Sequence, residues 1–322
     1  TAVETVTGTA AQVDALLLVE GSTGDKVNLD ADYAITINSG TATVTQANAY
    51  ATAAGVVTAT ISNTSVTDLL NLNTANTDLL TLTLASGTAT AANLITIAGK
   101  TGSTVDATAI TGVTGTATEV NNLIAVEGNS GDKINLDTDF TATISDTTIT
   151  ATLLNTTDGN VPGLLTASDV TTITGAAADI NTAYASTGIN GLGNEAITLT
   201  DTGTLAASVL VTLDSNTSGT IDASLITNLT GTSADLAALY TSNGQPTGIS
   251  GLGNEAVTIV ESTNTAVADA NLINAATTGV VTATLASGSM SELANLTGDC
   301  LLYTSDAADD MQCVDLGGRR II

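Results

Sequence analysis

Apolar residues fall at helical spacing in four places along the chain. They are Val13, Leu16 and Leu17; Val120, Leu123 and Ile124; Ile180, Ala183 and Tyr184; and Leu236, Leu239 and Tyr240. Each set sits in a block of one kind. Val6-Thr-Gly-Thr-Ala-Ala-Gln-Val-Asp-Ala-Leu16 returns as Val113-Thr-Gly-Thr-Ala-Thr-Glu-Val-Asn-Asn-Leu123, then from Ile173 and from Leu229. The pattern predicts a helix opening inside each block. Thr9 and Thr116 stand at N-cap positions, with Gln12 and Glu119 three residues on to complete a capping box. Asp235 follows Thr232 at the same distance with a shorter side chain. The third block has Ala176 there, so its cap is expected to be weaker by about 1 kcal/mol. A fifth block is expected to start at Leu296-Thr-Gly298. Stripes this short cannot bury themselves alone and need stacked neighbours.

Between the helical stripes the pattern turns to strands. Glu20-Gly-Ser-Thr-Gly-Asp-Lys-Val-Asn-Leu-Asp-Ala-Asp-Tyr33 recurs as Glu127-Gly-Asn-Ser-Gly-Asp-Lys-Ile-Asn-Leu-Asp-Thr-Asp-Phe140. Both read as a glycine turn, a short alternating strand and a second strand over Ala34–Ile37 or Thr141–Ile144. Thr187-Gly-Ile-Asn-Gly-Leu-Gly-Asn-Glu-Ala196 returns from Thr247, and Gly55-Val-Val-Thr-Ala-Thr60 returns from Gly279. The spacings give a period of about 56 residues, with a polar insertion at Asn243-Gly-Gln-Pro246. Two strand-turn-helix rungs fit in one period, one through Ala196–Thr200 and the apolar run Leu205–Leu213, the other through Thr220–Ile226 and the helix after Thr232. Strands alternating with helical pieces at this period predict a parallel sheet lined by short helices. The fold expected is a repeat solenoid: parallel β-strand rungs alternating with short helices, an α/β, β-helix-like arrangement. About ten rungs would make residues 1–299 a single solenoid, expected to be a fragment of a longer chain.

Composition narrows the function. Aromatic residues are 2% of the 322 and histidine is absent, so the core is expected to be thin and layered from Val, Ile, Leu, Ala and Thr. The formal net charge is −27, which repels nucleic acid and anionic membranes. No apolar run approaches the roughly 18 residues of a membrane helix. Both cysteines, Cys300 and Cys313, lie where the repeat character stops. Residues 300–322, back-translated, resemble adapter sequences of transposase-made sequencing libraries, and are set aside as a non-native tail. Residues 1–299 then hold neither His nor Cys, which removes the imidazole base, the thiolate and the usual zinc site.

The Thr-Gly-Thr-Ala-Ala, Gly-Leu-Gly-Asn-Glu-Ala and Gly-Val-Val-Thr-Ala-Thr blocks resemble the tandem repeats of very long surface or secreted proteins of marine bacteria, cyanobacteria among them. The resemblance covers essentially all of residues 1–299. It implies an extracellular or cell-surface setting, with cell-surface or matrix components as partners and no membrane insertion in this region.

Three features could carry chemistry. Gly191-Leu-Gly-Asn-Glu-Ala196 and Gly251-Leu-Gly-Asn-Glu-Ala256 match the G-x-G-x-x-A form of a dinucleotide fingerprint, but a polar turn precedes them and a strand follows. Their glycines are read as turns. Asp25, Asp30 and Asp32, with Asp132, Asp137 and Asp139, are the recurrent carboxylate clusters. Asp30 and Asp32 on one strand face would offer hard oxygen ligands to Ca²⁺. The plainer reading is an acidic solvated turn with Lys26 or Lys133 beside it. Thr-x-Thr pairs (Thr41/Thr43, Thr58/Thr60, Thr81/Thr83, Thr141/Thr143, Thr282/Thr284) suit an outward strand face or, if laddered, an ice-binding surface. The expected function is therefore a non-catalytic stalk, spacer or adhesin-like surface region. A calcium- or ice-binding module is the alternative, and a polysaccharide-active β-helix is a remote one.

Overall fold

The structure, a computed structural model, describes residues 3–20, 27, 29–127, 133–286, 290–297 and 300–302. In chain order it begins β1 (Val3–Thr9), α1 (Ala10–Glu20), β2 (Leu29–Ser39), α2 (Val44–Ala53), β3 (Val57–Thr60), α3 (Val66–Leu70) and β4 (Leu79–Thr81). Then come β5 (Gly87–Thr90), α4 (Ala91–Ala98), β6 (Val105–Ala107), β7 (Ile110–Gly115), α5 (Ala117–Glu127), β8 (Ile134–Leu136) and β9 (Thr141–Ile144). The middle holds β10 (Thr148–Thr150), α6 (Ala151–Asn160), β11 (Leu165–Thr166), β12 (Thr172–Gly175), α7 (Ala177–Ala185), β13 (Ile189–Asn190) and β14 (Ala196–Leu199). It continues with β15 (Thr204–Ala206), α8 (Ala207–Asn216), β16 (Ile221–Asp222), β17 (Asn228–Gly231), α9 (Ser233–Ser242) and β18 (Ile249–Ser250). Last are β19 (Ala256–Ile259), α10 (Val267–Ala276), β20 (Val281–Ala283), α11 (Met290–Leu293) and β21 (Cys300–Leu302).

The chain divides into two units, Thr1–Asp146 with Thr156–Ser168, and Thr147–Asn155 with Asp169–Ile322. In the first unit β1-β2-β3-β4 form one parallel sheet, β5-β7-β9-β11 belong to a second, and β6 pairs with β8. In the second unit β10-β12-β14-β16-β18 form one parallel sheet and β15-β17-β19-β20-β21 another. Alternating parallel strands and helices are the α/β arrangement expected from the pattern. Parallel neighbours need a crossover, and the short helices supply it. Helices α6 and α7 open directly after strands of the first of these sheets, β10 and β12. Helices α8 and α9 open directly after strands of the other, β15 and β17.

One spacing recurs in the pairings of the second unit. Thr148 lies beside Thr172, Thr172 beside Ala196, Ile197 beside Ile221, Thr204 beside Asn228 and Val257 beside Val281, each 24 residues on. The spacing widens to 28 at Ile221–Ile249 and Asn228–Ala256, where Asn243-Gly-Gln-Pro246 is taken up between α9 and β18. Because paired residues keep their faces, a buried position on one strand lies beside a buried position on the next. Ile149, Ile173, Ile197, Ile221 and Ile249 stand in one buried column, one residue per strand. Aliphatic columns of this kind fill the core of this unit, whereas the first unit also buries Tyr33, Tyr50 and Phe140.

The helix starts follow the sequence reading. Gln12 returns a bond to the Thr9 amide (2.9 Å) while its own amide donates to Thr9 Oγ1 (3.3 Å), and Glu119 does the same with Thr116 at 2.8 and 3.2 Å. Ala176 makes no side-chain cap, and Thr232 accepts from the Asp235 amide at 3.1 Å. A second carboxylate then arrives from further along the chain. Asp146 accepts the Ala117 amide, Asp201 the Ala177 amide and Glu261 the Ser233 amide, at 2.7–2.9 Å. Anionic groups are favoured at a helix N-terminus because its first amides have no partner in the helix.

The Thr-Gly of the repeated block has a steric reason. A Cβ on Gly231 would lie 2.7 Å from Ala207 Cβ, and on Gly175 it would lie 3.1 Å from Ala151 Cβ. Ala151 and Ala207 open α6 and α8, so the strand end can approach the preceding helix only as glycine.

Two expectations need correction. The strand expected over 220–226 is only Ile221–Asp222, because Asp222 Oδ1 accepts the Ser224 amide at 3.0 Å and turns the chain. Leu296-Thr-Gly298 does not open a fifth block. Leu296 and Thr297 follow α11 outside any strand, whereas Val6, Val113, Ile173 and Leu229 lie on β1, β7, β12 and β17. Asn271 Nδ2 donates to the Asn295 carbonyl and its Oδ1 accepts the Thr297 amide. Asn48 clamps Asn71 and Asn73 after α3 in the same way, so residues 290–297 copy the α3 turn. Cys300–Leu302, within the segment set aside as a tail, is placed as β21 beside β20.

Gly231→Ala is expected to lower stability by about 1–3 kcal/mol through overpacking, measured by urea denaturation. Gly159→Ala, where a Cβ meets open space, should leave the midpoint unchanged or raise it.

Candidate functional site

Two matched constellations concentrate buried polar chemistry, one in each Gly-Leu-Gly-Asn-Glu-Ala turn. Glu195 is fully buried and Glu255 nearly so. Glu195 Oε2 accepts the Gly193 amide at 2.9 Å, the Asn194 amide at 3.2 Å and the Tyr184 hydroxyl at 2.7 Å. Its Oε1 accepts the Gly193 amide at 3.1 Å. Glu255 likewise accepts the Gly253 amide at 2.7 Å, the Asn254 amide at 3.0 Å and the Tyr240 hydroxyl. The turns reach this shape through Gly191 (φ 88°) and Gly251 (φ 87°), in the region open to glycine. The glycines are turn residues, as read from the sequence.

The next stretch of chain locks each turn from outside. Thr217 donates to the Glu195 carbonyl at 2.8 Å and Thr277 to the Glu255 carbonyl at 2.7 Å. A Cβ on Gly219 or Gly279 would lie 2.1 Å from the same carbonyls. The carboxylate oxygens are thus occupied by their own turn and by a tyrosine, leaving a buried anion that is hydrogen-bonded throughout. Burial, with the hydrogen bond to Glu195 next, pushes the Tyr184 hydroxyl well above its ordinary range. Burial and Glu255 do the same to Tyr240. The arrangement braces a turn and presents no free base or nucleophile. Sequence reasoning missed it. The signal was there: Tyr184 and Tyr240 recur in the two repeats that carry the buried glutamates.

The carboxylate clusters fare differently. Asp25 and Asp132 lie outside the described residues. Asp30 and Asp32 are on β2, but the pairing with β1 shifts between Val3–Leu29 and Thr5–Ala34, so simple alternation does not run through them. Asp30 accepts the Ala31 amide at 2.7 Å, and Asp32 is exposed. Asp137 and Asp139 lie in the turn after β8, not on a strand. A hydrogen bond and like charge from Asp137 raise the Asp139 carboxyl above its ordinary value. Among the described residues no three acidic side chains gather as metal ligands would.

Of the expected threonine pairs, Thr143 and Thr282 stand in threonine columns and Thr60 lies beside Thr81, whereas Thr83 and Thr284 lie outside the named strands. Thr90, Thr114, Thr143 and Thr166 form one outward column in the first unit. Thr150, Thr174 and Thr198 form one in the second, and Thr230, Thr258 and Thr282 another. Strand spacing puts neighbours in a column about 4.8 Å apart. Thr41 and Thr43 are not on a strand; they flank the single bridge at Ala42, and Thr43 caps α2.

Compared with protein-family models, curated proteins and solved structures, the chain matches none. Among the described residues no helix is long and apolar enough to cross a membrane.

Glu195→Ala strands the Gly193 amide and the Tyr184 hydroxyl, and should cost about 1–3 kcal/mol for each donor left buried without a partner. The raised tyrosines also set an alkaline limit. Their contribution is complete below pH ~10, the unfolded value, and is lost as pH rises toward the folded values. Stability should therefore fall steeply above pH ~10, and less steeply in Tyr184→Phe with Tyr240→Phe, followed by urea midpoints against pH.

Proposed function

We propose that this chain is a structural region of an extracellular or cell-surface protein, a solenoid that serves as stalk, spacer or adhesin-like surface and catalyses nothing. The observation that carries this reading is the 24-residue spacing shared by five strand pairings of the second unit. A chain that adds the same step again and again grows in one direction, with every step buried by its neighbours. Two such steps fall about eight residues short of the 56-residue sequence period. That shortfall moves the helix starts from the strands of one sheet to those of the next with the period. The move of the helix starts from the β10–β12 sheet to the β15–β17 sheet supports this geometry. The resemblance to tandem repeats of marine bacterial surface proteins supports the location.

A passive spacer should melt at the same temperature with Ca²⁺ as with chelator, followed by circular dichroism. A rise of several degrees with Ca²⁺ would instead assign metal binding to the clusters at Asp25, Asp30 and Asp32 and at Asp132, Asp137 and Asp139.

The aligned threonine columns favour one second reading, an ice-binding face. Hydroxyls and methyls at about 4.8 Å spacing on a flat strand surface can order water. Ice recrystallisation inhibition that disappears in Thr143→Lys with Thr114→Lys would establish it. No inhibition by the unaltered chain would dismiss it.

A further inference from the structure

We propose that Asn190 is a self-modifying site. In the folded chain its side chain closes on the Gly191 amide, loses ammonia and leaves aspartate or isoaspartate in the turn that buries Glu195. Water is the only co-reactant, and no enzyme or cofactor takes part.

The sequence holds two Asn-Gly pairs, Asn190-Gly191 and Asn243-Gly244. Glycine lacks the Cβ that would obstruct a side chain folding back onto the next amide, so both pairs are chemically competent. The structure separates them. Asn243 ends α9, and its own amide donates to the Leu239 carbonyl at 2.8 Å. Its Nδ2 donates to the Leu252 carbonyl at 3.1 Å, and the Gly244 amide donates to the Ile249 carbonyl at 2.7 Å. The carboxamide and the nitrogen that would attack it are each tied to a different carbonyl. Asn190 ends β13 and is exposed, as is Gly191, which holds φ 88°. Among the described residues neither the Asn190 side chain nor the Gly191 amide makes a hydrogen bond. The matching copy of the turn carries Ser250 in place of Asn190, and its hydroxyl donates to the Ile221 carbonyl at 3.2 Å. That copy has no carboxamide to react.

The chemistry closes within the chain. The Gly191 amide gives its proton to solvent base and its nitrogen adds to Asn190 Cγ. The new N–Cγ bond forms as Cγ–Nδ2 breaks, Nδ2 leaves with a returned proton as ammonia, and a cyclic imide remains. Water then adds at either imide carbonyl. Opening at Cγ restores the ordinary backbone with aspartate. Opening at the main-chain carbonyl routes the backbone through Cβ as isoaspartate, one methylene longer. Nothing is oxidised or reduced. The same turn supplies the Gly193 and Asn194 amides to Glu195, so the added methylene disturbs the bracing of the buried carboxylate.

The test incubates the full chain in mildly alkaline buffer and follows both Asn-Gly pairs by peptide mass spectrometry, with electron-transfer fragmentation to tell isoaspartate from aspartate. Asn243 reacts only when its turn opens, so Asn190 should convert about tenfold faster in the folded chain. The two rates should draw together in urea. Asn190→Ser, the residue of the matching copy, should abolish the product at 190 and leave the rate at Asn243 unaltered. Hydrogen exchange at Gly193 and Asn194 should quicken in the aged chain, and by less in Asn190→Asp, which lacks the added methylene. Conversion at Asn190 no faster than at Asn243, an advantage that persists in urea, or unchanged exchange in the aged chain would overturn the inference.

Discussion

The close approach of a strand end to the helix start 24 residues before it is the constraint on which the remaining structure depends. Gly175 against Ala151 and Gly231 against Ala207 leave no room for a side chain. That contact sets how closely a strand end can lie to the helix start before it. Five pairings of the second unit use the same 24 residues of chain, with 28 where Asn243-Gly-Gln-Pro246 is taken up. With neighbours kept in register, one inward position of the β10–β18 sheet repeats the same residue, giving the isoleucine column from Ile149 to Ile249. Some outward positions repeat too, giving the threonine columns, one of which ends where Asp222 follows Thr198. Aliphatic columns do most of the filling, and the rings that are buried, Tyr50 and Phe140 among them, belong to the first unit.

The acidic charge acquires a structural meaning in the same frame. Asp146, Asp201 and Glu261 hold the first amides of α5, α7 and α9 from the following stretch of chain. Buried Asp78 holds the Val57 amide at 2.8 Å and the Ala75 amide at 2.8 Å. Glu195 and Glu255 brace their own turns. These carboxylates are spent on backbone donors, which rewards an acid even without a cation nearby. Asn48 and Asn271 do comparable work with a neutral amide, donating to one backbone carbonyl and accepting from a nearby amide.

Much of this was legible in the sequence because the relevant signals are local. The capping boxes at Thr9 and Thr116, the bare cap at Ala176 and the strand over Thr141–Ile144 depend on residues within a few positions of each other. The α/β alternation followed from them. What could not be read depends on partners a full step away. Nothing local says that Glu195 is buried, since its tyrosine is 11 residues back and its outer lock, Thr217, is 22 residues on. The Leu296-Thr-Gly298 string looked like a helix start because three residues match the block, yet Asn271 holds it as the turn after α11.

The central claim is that the step length is what the fold counts. Removing Ala196–Gly219, one full 24-residue step, should leave a chain that still unfolds cooperatively, with helix and strand content per residue unchanged by circular dichroism. Removing Ala196–Ala207, half a step, leaves Ile221 one and a half steps from Ile173, so β16 cannot pair with β12, and should abolish the cooperative transition. Equal tolerance of the two deletions, or collapse of the full-step variant, would contradict the account.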